Sequence, residues 1–261
     1  MLPNALTTLA LCAGMNAIRF AVQDRWKAAV IAVIVAAILD TLDGRTARLL
    51  NAQSKFGAEL DSLADVVSFG IAPAILLYLW ALHAAGNFGW LAALAFGICA
   101  ALRLARFNTA LSAIGPRQPK APYFVGVPTP AGAGLAMMPL IGDFEAGEPF
   151  LANHPYLVSL WVMATALLMV SRIPTPSLSG IQVRQRLRLL LLAVIGIAAG
   201  ATVDMPWATS LFAGIAYLLT IPVLYWRRAQ LRARPAPAEP EVAAPEAGGI
   251  LKAFRPVSKA D

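Results

Sequence analysis

Four aspartates dominate the chemistry available to this chain. In the segment DTLDGRTARLLNAQSKFGAELDSLAD, residues 40–65, Asp40 and Asp43 close one apolar run and Asp61 and Asp65 open the next. Side chains three or four residues apart share a helix face, so each pair presents two carboxylates in one direction. Four converging carboxylates repel one another unless cations neutralise them. All four are hard oxygen donors with no Cys or His nearby, a donor set that selects Mg²⁺, Mn²⁺ or Ca²⁺ over zinc or copper. Mg²⁺ commonly joins one or two carboxylates to phosphate oxygens, and two ions about 3.5–4 Å apart suit displacement at phosphorus.

The residues between the pairs fit the same chemistry. Gly44 and Ala47 follow Asp40 by four and seven positions, and Gly57 precedes Asp61 by four. Small side chains there let a second helix or a bulky ligand lie against the backbone. Arg48, a further turn along, is suited to pairing with phosphate. Either aspartate pair alone has a plainer reading, as acids favouring a helix dipole and facing water. Two pairs with glycines, alanine and arginine in register do not.

The elements that carry these residues are membrane helices. Of 261 residues, 59% are hydrophobic and 13% charged, and the mean hydropathy is +0.67. Soluble domains carry about 25% charge, so a soluble or disordered chain is excluded. Apolar blocks near 5–22, 28–50, 62–83, 88–107, 128–142, 155–171, 187–203 and 207–226 predict eight transmembrane helices, helix being the way a single apolar run satisfies its backbone in lipid. Residues 40–65 then form two antiparallel helices joined by a short loop, with carboxylates at matching depth, where ionisable groups are costly and mark function. With eight spans, 18 of the 21 Lys and Arg lie on the side of both termini, and Arg19, Arg25 and Lys27 on the other. That asymmetry makes the terminal face cytoplasmic. The first block lacks a basic start and an A-x-A site, so it reads as a retained helix. The net charge of +7 fits a membrane surface better than nucleic acid. Cys12 and Cys99 read as small apolar residues and His83 and His154 as packing or interfacial residues, leaving no zinc or His-based centre. Residues 1–229 thus form a membrane domain, and 230–261, rich in Pro, Ala and Glu, a disordered cytoplasmic tail.

The spacing D-x-x-D-G-x-x-A-R, eight residues, then G-x-x-x-D-x-x-x-D resembles the signature of the CDP-alcohol phosphotransferases. Asp40, Asp43, Gly44, Ala47, Arg48, Gly57, Asp61 and Asp65 occupy every signature position. The runs LPNALTTLALCAGMNAI, SLADVVSFGIAP, RLARFN, FVGVPTPAGAG and SRIPTPS resemble the phosphatidylserine synthase branch. The resemblance implies an all-α integral membrane fold, a six-helix core plus two. It implies that Asp40, Asp43, Asp61 and Asp65 bind two divalent ions, Mg²⁺ or Mn²⁺. Gly44, Ala47, Arg48 and Gly57 would contact the CDP moiety, with Asn4 and Thr7 near the nucleotide. Asp65 would also take the proton of the attacking alcohol. A carboxylate gripped by a cation is a weak base, so the least tightly bound of the four suits that last role.

The resemblance also implies the substrates: CDP-diacylglycerol and L-serine, giving phosphatidylserine and CMP. Serine carries a carboxylate that needs a cation. Arg103, Arg106 and Asn108, ending the fourth helix on the cytoplasmic side, are the candidates, with Lys120 and Ser68 as further ones. The plainer reading of the two arginines is positive-inside anchoring. Glycerol 3-phosphate and choline are the alternative acceptors. An ion-coupled transporter is the alternative of another class, against which stands the lack of a second acidic segment in 130–226. A bacterial inner membrane with the site facing the cytoplasm, and a homodimer, complete the expectations.

Overall fold

The first helix buries one side chain at alternating steps of four and three. In α1 (Leu2–Val22) the stripe is Pro3, Thr7, Ala10, Gly14, Ala17 and Ala21. Those are small residues, so the helix packs closely along α2 (Trp26–Leu49), which answers with Ala29, Val33 and Ala36. A tight turn joins the two, with Asp24 at φ 56°, a left-handed conformation that Asp tolerates. The α2 stripe continues in the same steps to Asp40 and Asp43. The packing seam therefore delivers both carboxylates inward. At 21 residues α1 is about 31 Å long, enough to cross a hydrocarbon core of about 30 Å.

This structure, a computed structural model, describes residues 2–50, 54–113, 123–171, 174–176 and 200–232. After α2, Ser54 caps α3 (Lys55–Asp65), its Oγ accepting from the Gly57 N–H at 3.0 Å. A π-helical turn, Val66–Ile71, links α3 to α4 (Ala72–Trp80) without a break in the rod. Pro73 gives a reason for that turn: it has no N–H, and its ring would crowd the carbonyl four residues back. A short 3₁₀ turn and Gly86, at φ 59°, reverse the chain into α5 (Asn87–Ala113).

The second half is more broken. A strand β1 (Tyr123–Val125) pairs antiparallel with β2 (Pro174–Pro176). Between them lie α6 (Thr129–Ala136), α7 (Met138–Ala146) and α8 (Pro155–Val170). Prolines near the starts of α6 and α8 lose no helical hydrogen bond there. The carboxylate of Asp143 accepts from the N–H groups of Leu151 and Ala152, both at 2.9 Å, and fixes the loop into α8. The last helix is α9 (Pro206–Arg232). Phe69, Leu76, Leu77, Phe96, Leu140 and Met169 form the centre of the core. Leu9, Ile31, Ile38, Leu94, Leu102, Leu160 and Phe212 point outward, as lipid-facing residues do. The first compact unit runs Met1–Tyr225, and Trp226–Asp261 forms a second, described as the end of α9.

Among the described residues four helices are long and apolar enough to cross a membrane: Pro3–Val22, Lys55–Trp80, Asn87–Thr109 and Pro206–Val223. Several expectations change in detail. The block 128–142 is two helices, because the chain breaks at Met137 and Pro139 cannot donate back. Among the described residues the fold is helical apart from the small β1–β2 ribbon, which an all-α reading lacked. Of the block 187–203, residues 187–199 lie outside the described residues, and 200–203 are helical. Helix α9 runs to Arg232, and the rest of the expected tail lies outside the described residues.

Candidate metal and active site

The α2 seam and the first turns of α3 meet at three carboxylates. Oxygens of Asp40, Asp61 and Asp65 all lie within 4.8 Å of one another, and the three residues are half-buried. Asp40 stands in hydrogen-bonding range of both Asp61 and Asp65. Three acids so close stand together only with a shared proton or a cation among them, and three hard oxygen donors from two rigid helices fit a divalent ion of the Mg²⁺ or Mn²⁺ kind. Among the described residues this is the acidic cluster with metal-binding spacing.

Asp43 stands apart from that trio, although its charge bears on Asp40 and Asp61. It is only 4% exposed and is satisfied locally. The Thr7 hydroxyl on α1 donates to its carboxylate, and so does the Gly44 N–H. Thr7, expected near the nucleotide, thus orients an acid. Its neighbour Asn4 is aimed at α3: a Cβ on Gly57 would stand 3.0 Å from Asn4 Oδ1 and 3.1 Å from Ser54 Oγ. A Cβ at 57 would make those two side-chain oxygens give way by a few tenths of an ångström. A Cβ on Gly44 would meet nothing within 4 Å, so its surroundings are open. Ala47 is half-buried; the Arg48 side chain and Lys120 lie outside the described residues.

The acceptor candidates separate sharply. Arg103 on α5 is 7% exposed, and its Nη1 donates to the Thr129 hydroxyl at 2.6 Å. Its Nε is buried with no hydrogen-bond partner, and its charge acts on Asp65. Phe107 lies beneath the guanidinium, 5.7 Å from ring centre to Cζ. Arg106 is committed elsewhere: it donates to the Val170 carbonyl at 3.0 Å and the Ser171 carbonyl at 3.3 Å, closing the C-terminal end of α8. Asn108 donates to Ser62 Oγ at 2.7 Å and ties α5 to α3. Ser68 is 1% exposed and donates to the Ala10 carbonyl of α1 at 3.2 Å, so it faces α1 and not an open cavity. Thr129 went unnoticed in the sequence, although a polar residue inside PTPAGAG, opposite arginines in RLARFN, was the available signal. His83 and His154 engage the carbonyls of Tyr78 and Phe150, their own neighbours in sequence.

The profile of the CDP-alcohol phosphatidyltransferase family matches residues 1–170. The chain belongs to that family. The matched region of this phosphatidyltransferase holds all four motif aspartates, the π turn, Arg103 and Thr129. Among similar proteins is a CDP-diacylglycerol–serine O-phosphatidyltransferase from Mycobacterium tuberculosis, 43% identical over 224 residues, covering 85% of this chain and 77% of the relative. The protein of that name from Helicobacter pylori is 36% identical over 196 residues, covering 75% and 79%. The one from Bacillus subtilis is 35% identical over 175 residues, covering 67% and 89%.

Proposed function

We propose that this chain is a CDP-diacylglycerol–serine O-phosphatidyltransferase. The observation that carries the reading is the convergence of Asp40, Asp61 and Asp65 within a segment bearing every position of the family signature. The names of the relatives point to serine as acceptor. The serine hydroxyl oxygen bonds to the lipid-bearing phosphorus, the phosphoanhydride bond breaks, and CMP departs. Asp40, Asp61 and Asp65, with Asp43 one turn away, are the residues to hold two divalent ions, Mg²⁺ or Mn²⁺. Those ions supply charge neutralisation for the diphosphate and the leaving CMP. Gly44, Ala47, Arg48 and Gly57 border the CDP moiety, and Asn4 keeps its place near the nucleotide. Asp65 takes the hydroxyl proton, as a carboxylate held beside the acceptor can.

Arg103 is the residue for the serine carboxylate. It is buried, it lies within electrostatic reach of Asp65, and its Nε is unspent. A carboxylate there would leave the serine hydroxyl to reach the reacting phosphorus beside Asp65. The remaining elements of the proposal are eight spans with both termini and the site cytoplasmic, a bacterial cell membrane, and a homodimer. The test uses full-length protein in detergent with CDP-diacylglycerol and Mn²⁺, offered serine, glycerol 3-phosphate or choline. CMP release with serine alone, abolished by chelator, is the expected result. Preferred release with glycerol 3-phosphate, or full turnover after chelation, overturns the reading.

A further inference from the structure

Helix α1 touches both acid-bearing helices along one stripe. Thr7 donates to Asp43 of α2; three residues on, the Ala10 carbonyl accepts from Ser68. The next residue of the stripe, Gly14, lies against the same serine. A Cβ on Gly14 would stand 2.4 Å from Ser68 Oγ and 2.7 Å from its Cα. The second distance is to backbone, so no rotamer change relieves it. Ser68 sits inside the π turn that begins directly after Asp65, where the Ala72 N–H reaches five residues back to the Val67 carbonyl. A π turn accommodates one extra residue. Were it to relax to regular helix, the preceding rod would rotate by about 100° and slide by about 1.5 Å relative to α4. Asp61 and Asp65 lie on that preceding rod, whereas Ala72, Leu76 and Leu77 of α4 are locked in the core.

We infer that Ser68 and Gly14 are positioning residues. Their contact clamps the π turn against α1 and sets the rotation and level at which Asp61 and Asp65 meet Asp40. Since Thr7 levels Asp43 from the same helix, α1 acts as the common gauge for all four acids. The inference rests on the cation-binding reading of those acids. Neither residue touches the reacting atoms; both act through Asp65.

The test measures Mn²⁺ binding by electron paramagnetic resonance on the full-length protein in detergent, with thermal melting alongside. Ser68→Ala removes one buried hydrogen bond and weakens Mn²⁺ binding on the order of fivefold, with kcat falling and the KM for serine little changed. Gly14→Ala, which forces backbone apart, weakens it more than tenfold. Ser68→Thr keeps the hydroxyl and restores binding relative to Ser68→Ala. Gly97→Ala, whose Cβ would enter open space, stays within twofold of the parent. Should Gly14→Ala fail to fold, Ser68→Ala decides alone. Folded Ser68→Ala that binds Mn²⁺ like the parent overturns the inference. Asp40→Asn serves as reference: if it too binds Mn²⁺ normally, the cation site itself is wrong, which is a separate failure.

Discussion

Replacing Arg103 by Met keeps most of the side chain's length and apolar stem while removing the guanidinium. Arg103 is 7% exposed, so any carboxylate it receives is largely shielded from water. Truncating one member of a buried, hydrogen-bonded charge pair costs about 2–5 kcal/mol. At 1.4 kcal/mol per factor of ten, that is roughly 30-fold to a few thousandfold in kcat/KM for serine. The lower end, about 30- to 100-fold, is expected, because Nη1 already serves Thr129 and only part of the guanidinium is available. The loss should fall mainly on the KM for serine, since the carboxylate is bound equally before and during reaction. CMP release at saturating CDP-diacylglycerol, titrated with serine, measures it. Arg106→Met is the counterpart. It loses two bonds to backbone carbonyls and should lower the melting temperature while leaving the KM for serine within about twofold. An unchanged KM in Arg103→Met together with a raised KM in Arg106→Met would refute the assignment.

Thr7→Val is nearly isosteric and strips the hydroxyl that serves Asp43. A hydrogen bond to a charged group contributes about 1.5–3 kcal/mol, so affinity for Mn²⁺ should drop about tenfold or more, and Thr7→Ser should recover it. A raised KM for CDP-diacylglycerol with normal Mn²⁺ binding would instead make Thr7 a nucleotide contact. Gly89→Ala should be poorly tolerated, because its Cβ would lie 1.8 Å from the Leu82 carbonyl oxygen. Backbone on both sides makes the cost at least the 1–3 kcal/mol typical of overpacking, visible as a large fall in melting temperature; a normal melt would show that the turn into α5 can rearrange.

The carboxylate cluster was legible because helical spacing alone fixes which side chains share a face. Asp40 and Asp43, three apart, and Asp61 and Asp65, four apart, share faces by spacing alone, and burial then shows that Asp40 continues the stripe of Ala29, Val33 and Ala36. What stayed hidden depends on how helices turn relative to one another. Ser68 reads as a residue three positions after Asp65 and therefore on its side, but the π turn breaks that periodicity and sends its hydroxyl to α1. Arg103 and Arg106, three residues apart, read as equivalent cations. The structure splits them, one to Thr129 and one to the end of α8. The β1–β2 ribbon joins residues about 50 positions apart through short, proline-bearing stretches, so no local alternation announces it. Gly126, at φ 81°, has its reason in the Met169 carbonyl oxygen, 2.4 Å from where a Cβ would stand, a contact about 40 positions away in the chain.

Holding three carboxylates together sets a demand on the rest of the fold. Mutual repulsion would rotate α2 and α3 so that their acids turn away, and a loop would yield to it. Here the acids sit on helices whose opposite ends are locked: α2 through its small-residue seam with α1, and α3 through the continuous rod into α4, where Leu76 and Leu77 are fully buried. Rotation of either helix would have to unpack that core. The seam that brings α1 and α2 close also places Thr7 beside Asp43 and Gly14 beside Ser68. Small residues along α1 therefore do two things that cannot be separated by sequence inspection. They allow the close helix contact, and through it they hold charged groups in an arrangement those groups would otherwise leave.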